Sequence, residues 1–590
     1  MALNILGISA HYHDAACCLL RDGELVAAAE EERFSRVKHD PSLPSRAFRF
    51  CLDQGGITLS DVDCIAYYED PVKKLSRQIW MGLHPGASDA IRAAALGSLP
   101  NRIGQVEREI RRKLGYDGRL EFFDHHQSHA ASSFFYSGFE EAAVLTVDGV
   151  GEWTTTAFGR AGGAKVEILE EVHFPSSLGL LYSTLTSYLG FKVNDGEYKV
   201  MGLAPYGEPR YVDQVRKLVT RGEAGQYSLN LEYFDFMRRD RMYSDRLIEL
   251  FGAPARLPES EISEFHQDVA RSAQWVLEEI LLDQVTYLHG RVPSRNLCMA
   301  GGVALNCVAN SRILRDGPFD ELFVQPAASD AGGCLGAAAL AHVRLTGERP
   351  AQRRLTHMYW GPASPAGDIA AMLSGTGLQV LDFRGRPEAL LEATVDRLAA
   401  GKVIGWFQGR MELGPRALGA RSILADPRDA GMRDRINALV KMREGFRPFA
   451  PAVLEARARE HFAIDHPSPF MLETCQVASP FDLPAITHVD RSARLQTVDP
   501  ESSPRFAALL ASFYDRTGCP ILLNTSFNMR GEPIVCTPED ALACFTRSRI
   551  DALVLEDFIV DRDSIPAVWS ELVESHPAEP RISYTVYTLL

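Results

Sequence analysis

The sequence predicts an α/β protein of two domains, the first of which contains an internal duplication. Three short apolar runs at residues 5–9, 15–20 and 25–29 are separated by a loop and a polar turn, which is the pattern of a strand meander. A similar unit of strand, loop and strand occupies residues 142–158. Helical patterns and strand-to-helix junctions lie between and after these meanders, which indicates sheets covered by helices.

The chain of 590 residues is too long for one hydrophobic core, because domains usually contain about 100 to 200 residues. Residues 347–354 are polar and basic and lack apolar periodicity, as expected of a linker. We therefore predict one domain at residues 1–354 and a second at residues 355–590. Apolar runs in the second part predict strands of another α/β domain at residues 403–407, 448–454 and 521–524.

Composition favours small-molecule chemistry. The chain is 46% hydrophobic and 24% charged, and no stretch approaches the ~18 uninterrupted apolar residues of a membrane span. The net charge of −15 disfavours a polyanionic partner such as tRNA. The first residues enter a strand without a basic stretch or a signal-type cleavage pattern, so the expected compartment is the cytoplasm. Eleven cysteines without Cys-x-x-Cys spacing argue against disulfides and structural zinc.

A histidine pair predicts a metal site at the end of a strand. His125 and His129 follow the strand-like residues 120–123 and open an alanine-rich helical segment. Side chains four residues apart share one face of a helix, so both imidazoles can reach one cation. The alternative is that both are ordinary core or surface histidines, and neighbouring segments must decide between the two interpretations.

A carboxylate and two glycines follow the first strand of the second meander. Asp148 comes directly after an apolar strand, and Gly149 and Gly151 leave room for a phosphate or metal-bound ligand beside the backbone. Taken alone, this Asp-Gly-x-Gly sequence is an ordinary turn. Three threonines follow it and could donate hydroxyl hydrogens, which strengthens the functional interpretation.

Two further strand ends carry glycines and polar side chains. Gly301 and Gly302 separate a strand from a helix whose N–H groups could hold phosphate, and Asn306 could face that ligand. Asp330 starts another glycine-rich helix, where it could also be a simple N-cap. Carboxyl ends of strands open onto one ligand crevice in such folds. Two imidazoles and two carboxylates would bind an iron-like or zinc-like divalent ion that acts as a Lewis acid.

These motifs resemble the NodU/CmcH O-carbamoyltransferase family. Its first domain is similar to the metal-binding threonylcarbamoyl-transfer proteins of the actin/Hsp70/sugar-kinase superfamily. The resemblance spans nearly the whole chain and rests on five segments, at residues 13–16, 30–36, 125–130, 199–207 and 301–306.

The resemblance implies roles for individual residues of the first domain. The metal ligands would be His125, His129, Asp148 and Asp330, with Fe(II) as the expected ion. His13 would be the base for the acceptor hydroxyl, and His126 would support the ligands or be structural. Lys199, read as a loop lysine, would order the crevice or contact phosphate.

The second domain is predicted to hold an anion pocket. Arginine pairs bidentately with phosphate and carboxylate, so a pocket of such residues would suit carbamoyl phosphate or an adenylate. The alternative is that these cations are surface solubilisers. The Ser-x-Asn sequence resembles the YrdC-like domain, which makes an acyl-adenylate from ATP, but the Lys-x-Arg element of that domain is not reproduced closely. The predicted pocket residues are Arg416, Lys441, Arg447, Arg494, Asn524, Ser526, Asn528 and Arg530.

We therefore predict an ATP-dependent O-carbamoyltransferase of antibiotic or other secondary metabolism. It would make carbamoyl-adenylate from carbamoyl phosphate and ATP with Mg²⁺, and transfer the carbamoyl group to a small-molecule hydroxyl. Aminoglycoside, macrolide, polyketide, β-lactam, toxin and lipo-oligosaccharide acceptors fit these motifs alike, and any oligomeric state fits them. The alternatives are a small-molecule kinase of the same superfamily and a nonenzymatic nucleotide- or metal-sensing module. A carbamoyltransferase for hydrogenase maturation is disfavoured, because its zinc-finger cysteine pairs and acylphosphatase domain have no counterpart.

Overall fold

The computed structural model describes residues 2–97, 102–238, 241–351, 354–441 and 444–569, without the side chain of Lys441. The described residues form two compact units. Unit 1 contains residues 2–31 and 40–355, and unit 2 contains residues 32–39 and 356–569. Nothing in the sequence indicates that residues 32–39 belong with unit 2.

Unit 1 is built on two five-stranded sheets and a short two-stranded ribbon. Apolar residues fill these strands, and most of their side chains are buried. In chain order the strands are β1 (Asn4–Ser9), β2 (Ala16–Arg21), β3 (Glu24–Glu30), β4 (Cys64–Tyr67), β5 (Arg119–Phe122), β6 (Glu141–Val147), β7 (Thr154–Gly162), β8 (Lys165–His173), β9 (Val219–Arg221), β10 (Tyr227–Leu229), β11 (Asn296–Ala300) and β12 (Glu321–Val324).

The two sheets have the same topology, which confirms the predicted duplication. The first has the order β3-β2-β1-β4-β5 and the second the order β8-β7-β6-β11-β12. In each sheet the three meander strands are antiparallel, and the last two strands run parallel to the first. Parallel strands need crossover connections, and helices provide these connections in both halves.

Helices cover both sheets of unit 1, as the sequence predicts. None of the described helices combines the length and apolar composition needed to cross a membrane. The helices are Ser45–Gly55, Pro71–Leu83, Asp89–Leu96, Gln105–Glu109, His125–Phe134, Leu178–Tyr188, Glu197–Leu203, Val212–Arg216, Asp245–Phe251, Glu264–Arg291, Cys307–Asp316 and Asp330–Thr346, with 3-10 turns at Leu59–Asp61, Ala204–Tyr206, Leu231–Tyr233 and Gly302–Leu305 and a π-helical turn at Ile110–Leu114.

Two of these helices occupy equivalent places in the two halves and pack against each other. His125–Phe134 follows β5, and Asp330–Thr346 follows β12. At their crossing a Cβ on Gly336 would overlap the carbonyl oxygen of Ser128. The absence of a side chain at position 336 therefore permits the close approach of the two backbones.

Unit 2 is an α/β structure whose strands are β13 (Leu381–Asp382), β14 (Ile404–Phe407), β15 (Arg421–Ala425), β16 (Ala450–Leu454), β17 (Thr474–Gln476), β18 (Ser492–Arg494), β19 (Gln496–Val498), β20 (Ile521–Ser526), β21 (Ala552–Leu555) and β22 (Phe558–Asp561). One mixed eight-stranded sheet has the order β13-β22-β21-β14-β15-β20-β16-β19, and β17 and β18 form a separate ribbon. The strands predicted at residues 403–407, 448–454 and 521–524 are present as β14, β16 and β20.

Apolar faces of the unit 2 helices and the sheet form one core, in which Trp406 and Phe407 are fully buried. The helices are Glu32–Ser35, Ala366–Ser374, Pro387–Ala399, Met432–Ile436, Ala458–His461, Pro504–Thr517 and Pro538–Arg547, with 3-10 turns at Glu455–Arg457 and Arg562–Ser564 and a π-helical turn at Asn437–Lys441.

Residues 32–39 are bound to unit 2 by specific contacts. Arg33 Nη2 donates a hydrogen bond of 2.8 Å to the carbonyl of Gly414, and Arg36 Nη1 donates one of 2.7 Å to the carbonyl of Ile534. Phe34 packs against a small apolar cluster that includes Ile534. The segment therefore completes unit 2 although it is far from the rest of that unit in sequence.

Candidate active site

The four predicted metal ligands lie together in the core of unit 1. His125 Nε2 is 3.0 Å from both His129 Nε2 and Asp148 Oδ2. Asp330 Oδ1 lies 3.7 Å from the Nε2 atom of His125 and 3.8 Å from that of His129. The donor atoms of all four buried residues are within 4.8 Å of one another. The structure thus brings together residues that lie up to 205 positions apart in the sequence, from His125 to Asp330.

Each of the four cluster residues stands at the end of a strand or within the first turns of a helix. The two histidines occupy the first and fifth positions of the helix His125–Phe134 and share its inner face. Asp148 is the first residue after β6, and Asp330 is the first residue of the helix after β12. Ser329 is the N-cap residue of that helix, so Asp330 is not the N-cap.

The donor set fits a divalent metal. Two neutral imidazoles with lone pairs 3.0 Å apart repel each other unless a proton or cation lies between them. Among the described residues Asp330 Oδ1 is buried without a hydrogen-bond partner. A buried polar atom of this kind needs a partner, and imidazole nitrogen with carboxylate oxygen suits zinc or iron.

The local electrostatics favour positive charge at the cluster. Burial would lower the pKa of His129, but the carboxylates of Asp148 and Asp330 raise it to about 9. Burial would raise the pKa of Asp148, yet hydrogen bonds from His125 and His129 hold it well below its usual range. The carboxylates therefore stabilise a cation in this place.

Each carboxylate also accepts a hydrogen bond from a group outside the cluster. The backbone N–H of Gly302 donates to Asp148 Oδ1 at 3.0 Å, and the hydroxyl of Tyr68 donates to Asp330 Oδ2 at 3.0 Å. The other oxygen of each carboxylate faces the imidazoles. Tyr68 is a site residue that the sequence interpretation missed, and its one signal is its place directly after β4.

Two more buried polar residues adjoin the cluster. His126 Nδ1 is 2.7 Å from Thr146 Oγ1, and burial, with the neighbouring imidazoles, lowers the pKa of His126 well below its ordinary value. This agrees with a supporting role for His126. Glu152, which the sequence interpretation also missed, accepts a hydrogen bond from the backbone N–H of His125, and burial raises its pKa to about 7.

The predicted glycines serve the site in ways that the sequence did not indicate. A Cβ on Gly151 would lie 2.9 Å from the His125 ring, so this glycine makes room for the His125 side chain. A Cβ added to Gly179 would lie 2.7 Å from the Cα of Gly149, so the backbones at these two glycines pack closely. Gly301 has a φ of +92°, a conformation that favours glycine, and brings the N–H of Gly302 to Asp148.

Asn306 and Lys199 have surroundings other than those expected. Asn306 caps the helix Cys307–Asp316, and its amide exchanges hydrogen bonds with Gln274 at 2.9 and 3.1 Å. Its polar atoms are thus engaged by the protein. Lys199 lies in the helix Glu197–Leu203 and not in a loop, with its ammonium 5.5 Å from the centre of the Phe191 ring.

His13 lies in the loop between β1 and β2. Its Nδ1 is 3.1 Å from Asp14 Oδ2. Burial would lower the pKa of His13, but the charges of Asp330 and Asp14 raise it to about 9. His13 therefore responds to the same carboxylate that faces the histidine pair. The hydroxyl of Tyr67 anchors the loop by donating to the carbonyl of Ala10 at 2.8 Å.

In unit 2 the loop that carries Arg416 is held by a buried carboxylate. Glu412 Oε1 accepts hydrogen bonds from three backbone N–H groups, of Leu418, Ala420 and Arg421, at 2.7, 2.8 and 3.2 Å. Asn524 of β20 donates to the carbonyl of Ala417 at 3.3 Å. Asn524 and the Arg416 loop are therefore brought together, whereas the sequence interpretation missed Glu412.

The other predicted pocket residues lie on several elements of unit 2. Ser526 ends β20 and donates to Asn528 Oδ1 at 2.7 Å, which closes a local turn. Arg494 ends β18 and Arg530 follows the Ser-x-Asn turn, while Arg447 lies 3.9 Å from Glu444. The Lys441 side chain lies outside the described residues. A single anion pocket formed by these side chains stays a prediction.

Comparison with known families matches both parts of the chain. The family model "Carbamoyltransferase N-terminus" matches residues 4–339, and "Carbamoyltransferase C-terminus" matches residues 395–562. The first match includes the cluster and the His13 loop, and the second includes Arg416 and the Ser-x-Asn turn.

Full-length relatives support the same assignment. Uncharacterized protein sll1178 of Synechocystis is 45% identical, with 95% of this chain and 97% of the relative covered. Nodulation protein NolNO of Sinorhizobium fredii is 39% identical over 96% of this chain and 81% of its own length. The 3'-hydroxymethylcephem-O-carbamoyltransferase of Amycolatopsis lactamdurans is 28% identical over 92% of this chain and 96% of its own length.

Similarity to solved structures is remote. HypF from T. kodakarensis is 14% identical with a TM-score of 0.31, covering 58% of this chain and 48% of its own. The family models and relatives confirm the resemblance drawn from the sequence motifs. The chain therefore belongs to the carbamoyltransferase family and is an enzyme that transfers carbamoyl groups.

Proposed function

We propose that this carbamoyltransferase is ATP-dependent and carbamoylates a hydroxyl group of a small-molecule natural product. Unit 2 would make carbamoyl-adenylate from carbamoyl phosphate and ATP, and unit 1 would transfer the carbamoyl group. The observation that carries the proposal is the buried cluster of His125, His129, Asp148 and Asp330, whose carboxylates also act on His13.

The two-step reaction follows from the chemistry of the carbamoyl group. Carbamate is a poor electrophile, because nitrogen donates electrons into its carbonyl group and oxide is a poor leaving group. Hydrolysis of carbamoyl phosphate gives carbamate and phosphate, and attack of carbamate on ATP gives carbamoyl-adenylate and pyrophosphate. Attack of the acceptor hydroxyl on the carbamoyl carbon then breaks the bond to AMP, and the hydroxyl proton passes to a base.

Cationic and polar groups of unit 2 suit the activating step. Arg416 is carried by the loop that Glu412 holds, and Asn524 contacts that loop from β20. Arginine in a fixed loop stabilises negative charge on phosphoryl oxygens, and Mg²⁺ would accompany ATP. Arg447, Arg494 and Arg530 are proposed to add to the same site.

In unit 1 the four cluster residues would hold a divalent metal, with Fe(II) as the proposed ion. Such an ion would act as a Lewis acid toward the carbonyl or phosphate oxygen. His13 is proposed to accept the proton of the acceptor hydroxyl. It must be neutral to do so, and its pKa of about 9 falls when the charge of Asp330 is neutralised.

The acceptor class is proposed from the relatives and the chemistry. One relative is named for carbamoylation of a 3'-hydroxymethylcephem, and others are named nodulation proteins. We place the present reaction in secondary metabolism, such as antibiotic biosynthesis. The use of ATP and carbamoyl phosphate favours the cytoplasm, and the net charge of −15 disfavours a nucleic-acid acceptor.

The first experiment is incubation of the purified protein with ATP, Mg²⁺ and carbamoyl phosphate without an acceptor. We expect carbamoyl-adenylate and pyrophosphate by mass spectrometry, and AMP as the adenylate hydrolyses. Production of ADP without AMP would indicate a kinase of the same superfamily. Absence of any turnover with metal supplied and with acceptors added would indicate a nucleotide- or metal-sensing module.

A variant separates the two half-reactions. His13→Asn is expected to keep adenylate formation and to lose carbamoyl transfer to an acceptor. His173→Asn is the matched control, because His173 is an exposed histidine of the same unit. Loss of both activities in His13→Asn, with the control unaffected, would contradict the assignment of His13 to the transfer step.

A further inference from the structure

We propose that Glu152 is a positioning residue that fixes the start of the helix His125–Phe134, and with it both imidazoles of the cluster. Glu152 would act through the backbone, without touching a metal or substrate. The inference rests on the proposed metal site, because its purpose is to hold two ligands of that site in place.

The first observation is that this helix lacks a local cap. The first N–H groups of a helix have no partner within the helix. Asp124 is the N-cap residue, yet its side chain makes no capping bond and instead lies 2.6 Å from Lys73 Nζ. Glu152 supplies the missing acceptor from a loop 27 residues away, with Oε1 2.9 Å and Oε2 3.2 Å from the N–H nitrogen of His125.

The second observation is that the same oxygen holds a second segment. Glu152 Oε1 also accepts a hydrogen bond of 2.6 Å from the backbone N–H of Asp70. Asp70 is two residues after Tyr68, whose hydroxyl holds Asp330. One oxygen atom therefore joins the histidine helix to the segment that orients a carboxylate ligand.

The third observation is the place of Glu152 in its own loop. It lies four residues after Asp148, in the turn between β6 and β7, and only 4% of it is exposed. Gly151, directly before it, leaves room for the His125 ring. The turn thus supplies the proposed ligand Asp148, leaves space for the His125 ring, and contributes Glu152 as the cap of the helix that carries His125.

Glu152 differs from the four ligands in what its oxygens face. Both oxygens are within hydrogen-bond distance of backbone N–H groups, and Glu152 is outside the set of donor atoms that lie within 4.8 Å of one another. A buried carboxylate committed to two backbone segments fixes geometry. Misplacement of the helix start would move His125 and, one turn later, His129.

The test compares Glu152→Gln and Glu152→Ala in the full chain. Glutamine keeps an acceptor oxygen but removes the charge, whereas alanine removes the acceptor. Titration with Co²⁺, followed by its visible absorption, measures affinity and coordination together. We expect Glu152→Gln to bind within about threefold of the unmodified protein, and Glu152→Ala to bind roughly 10- to 100-fold more weakly with an altered spectrum. Glu171→Ala, on the exposed part of β8, is the matched control.

Hydrogen–deuterium exchange provides a readout that needs no metal. We expect faster exchange at the start of the histidine helix in Glu152→Ala, and exchange as in the unmodified protein in Glu152→Gln. Equal exchange and equal cobalt affinity in all variants would overturn the positioning role. An equal loss in both variants would overturn it too, because it would show that the charge matters and the acceptor geometry does not.

The same measurements separate this inference from the proposed function. If the unmodified protein shows no cobalt absorption, the metal site of the proposed function is wrong. The exchange data then still decide whether Glu152 holds the helix.

Discussion

The two halves of unit 1 share one topology but contribute different chemistry. In each half the loop after the first strand and the helix after the fifth strand approach the site. The first half supplies His13 from its loop and His125 and His129 from its helix. The second half supplies Asp148 and Asp330 from the equivalent positions. A symmetric scaffold has therefore become an asymmetric site, with nitrogen donors from one copy and oxygen donors from the other.

The equivalent loops are also stabilised differently. In the first half His11 and Asp14 have positive φ values of 69° and 51°, a region that non-glycine residues occupy uncommonly and that His and Asp tolerate better than most. Lys74 contributes by donating to the carbonyl of His11 at 3.1 Å. In the second half Gly149 and Gly151 allow close packing instead. Duplication fixes where a functional residue stands, but the local sequence decides how it is held.

The largest expected effect tests whether the two carboxylates are equivalent. Asp148→Asn and Asp330→Asn should each weaken divalent-metal binding by more than about 100-fold, or roughly 3 kcal/mol, since each removes one of two buried charges. Calorimetric titration measures the loss. Asp124→Asn, whose carboxylate pairs with the exposed Lys73, should bind normally. A loss in one ligand variant alone would show that a single carboxylate of the second half is sufficient.

A smaller effect is expected where the two equivalent helices cross. Gly336→Ala should destabilise the protein by roughly 1–3 kcal/mol, because the added methyl overlaps the carbonyl of Ser128. Thermal unfolding measures the change. Gly290→Ala is the control, since open space surrounds that helical glycine and alanine there should stabilise by up to about 1 kcal/mol. Equal stability of Gly336→Ala and the unmodified protein would show that the halves can separate at little cost.

The next effect concerns the hydroxyl of Tyr68 in the first half, which orients the carboxylate of Asp330 in the second half. Tyr68→Phe removes the hydroxyl that holds Asp330 and should weaken metal binding about tenfold. Tyr67→Phe is the neighbouring control, because the Tyr67 hydroxyl binds the His13 loop at Ala10. It should leave metal affinity unchanged. Equal affinity in both variants would mean that Asp330 keeps its orientation without the tyrosine.

A final effect is the pH dependence of stability that His13 contributes. Its folded pKa of about 9 exceeds the unfolded value of about 6.5, so the protonated form stabilises the fold. This contribution is complete below pH 6.5 and is lost as the pH rises to 9. Urea unfolding of the metal-free protein at pH 6 and pH 9.5 should therefore show a larger loss of stability in the unmodified sequence than in His13→Gln. An identical loss in both would contradict the electrostatic link between the halves.

Local patterns predicted the duplication, and together with the family resemblance they predicted the cluster. Apolar runs predicted β1, β6, β14, β16 and β20. Strand ends and the four-residue histidine spacing indicated candidate ligands, and the resemblance selected the four cluster residues among them. These patterns can be recognised in short stretches of sequence, because the pleat of a β-strand and the turn of an α-helix each repeat within a few residues.

The remaining features depend on contacts between distant segments. Tyr68 is 262 positions from Asp330, and no local pattern marks such a pair. Asn306 at a helix start is interpreted equally well as a ligand or a cap, and only the hydrogen bond that its Oδ1 accepts from the backbone N–H of Ala309 shows the cap. The loop predicted at Lys199 is wrong, because the nearby glycine and proline suggest a loop although a helix occupies Glu197–Leu203.

Residues 32–39 make the second unit impossible to obtain as one contiguous piece of chain. A gene fragment beginning at residue 356 would encode neither Arg33 nor Arg36, whose guanidinium groups bind the carbonyls of Gly414 and Ile534. The apolar cluster under Phe34 would be exposed to water in such a fragment. Recombination between related enzymes would therefore preserve unit 2 only when the eight-residue segment is exchanged together with the distant part of the gene.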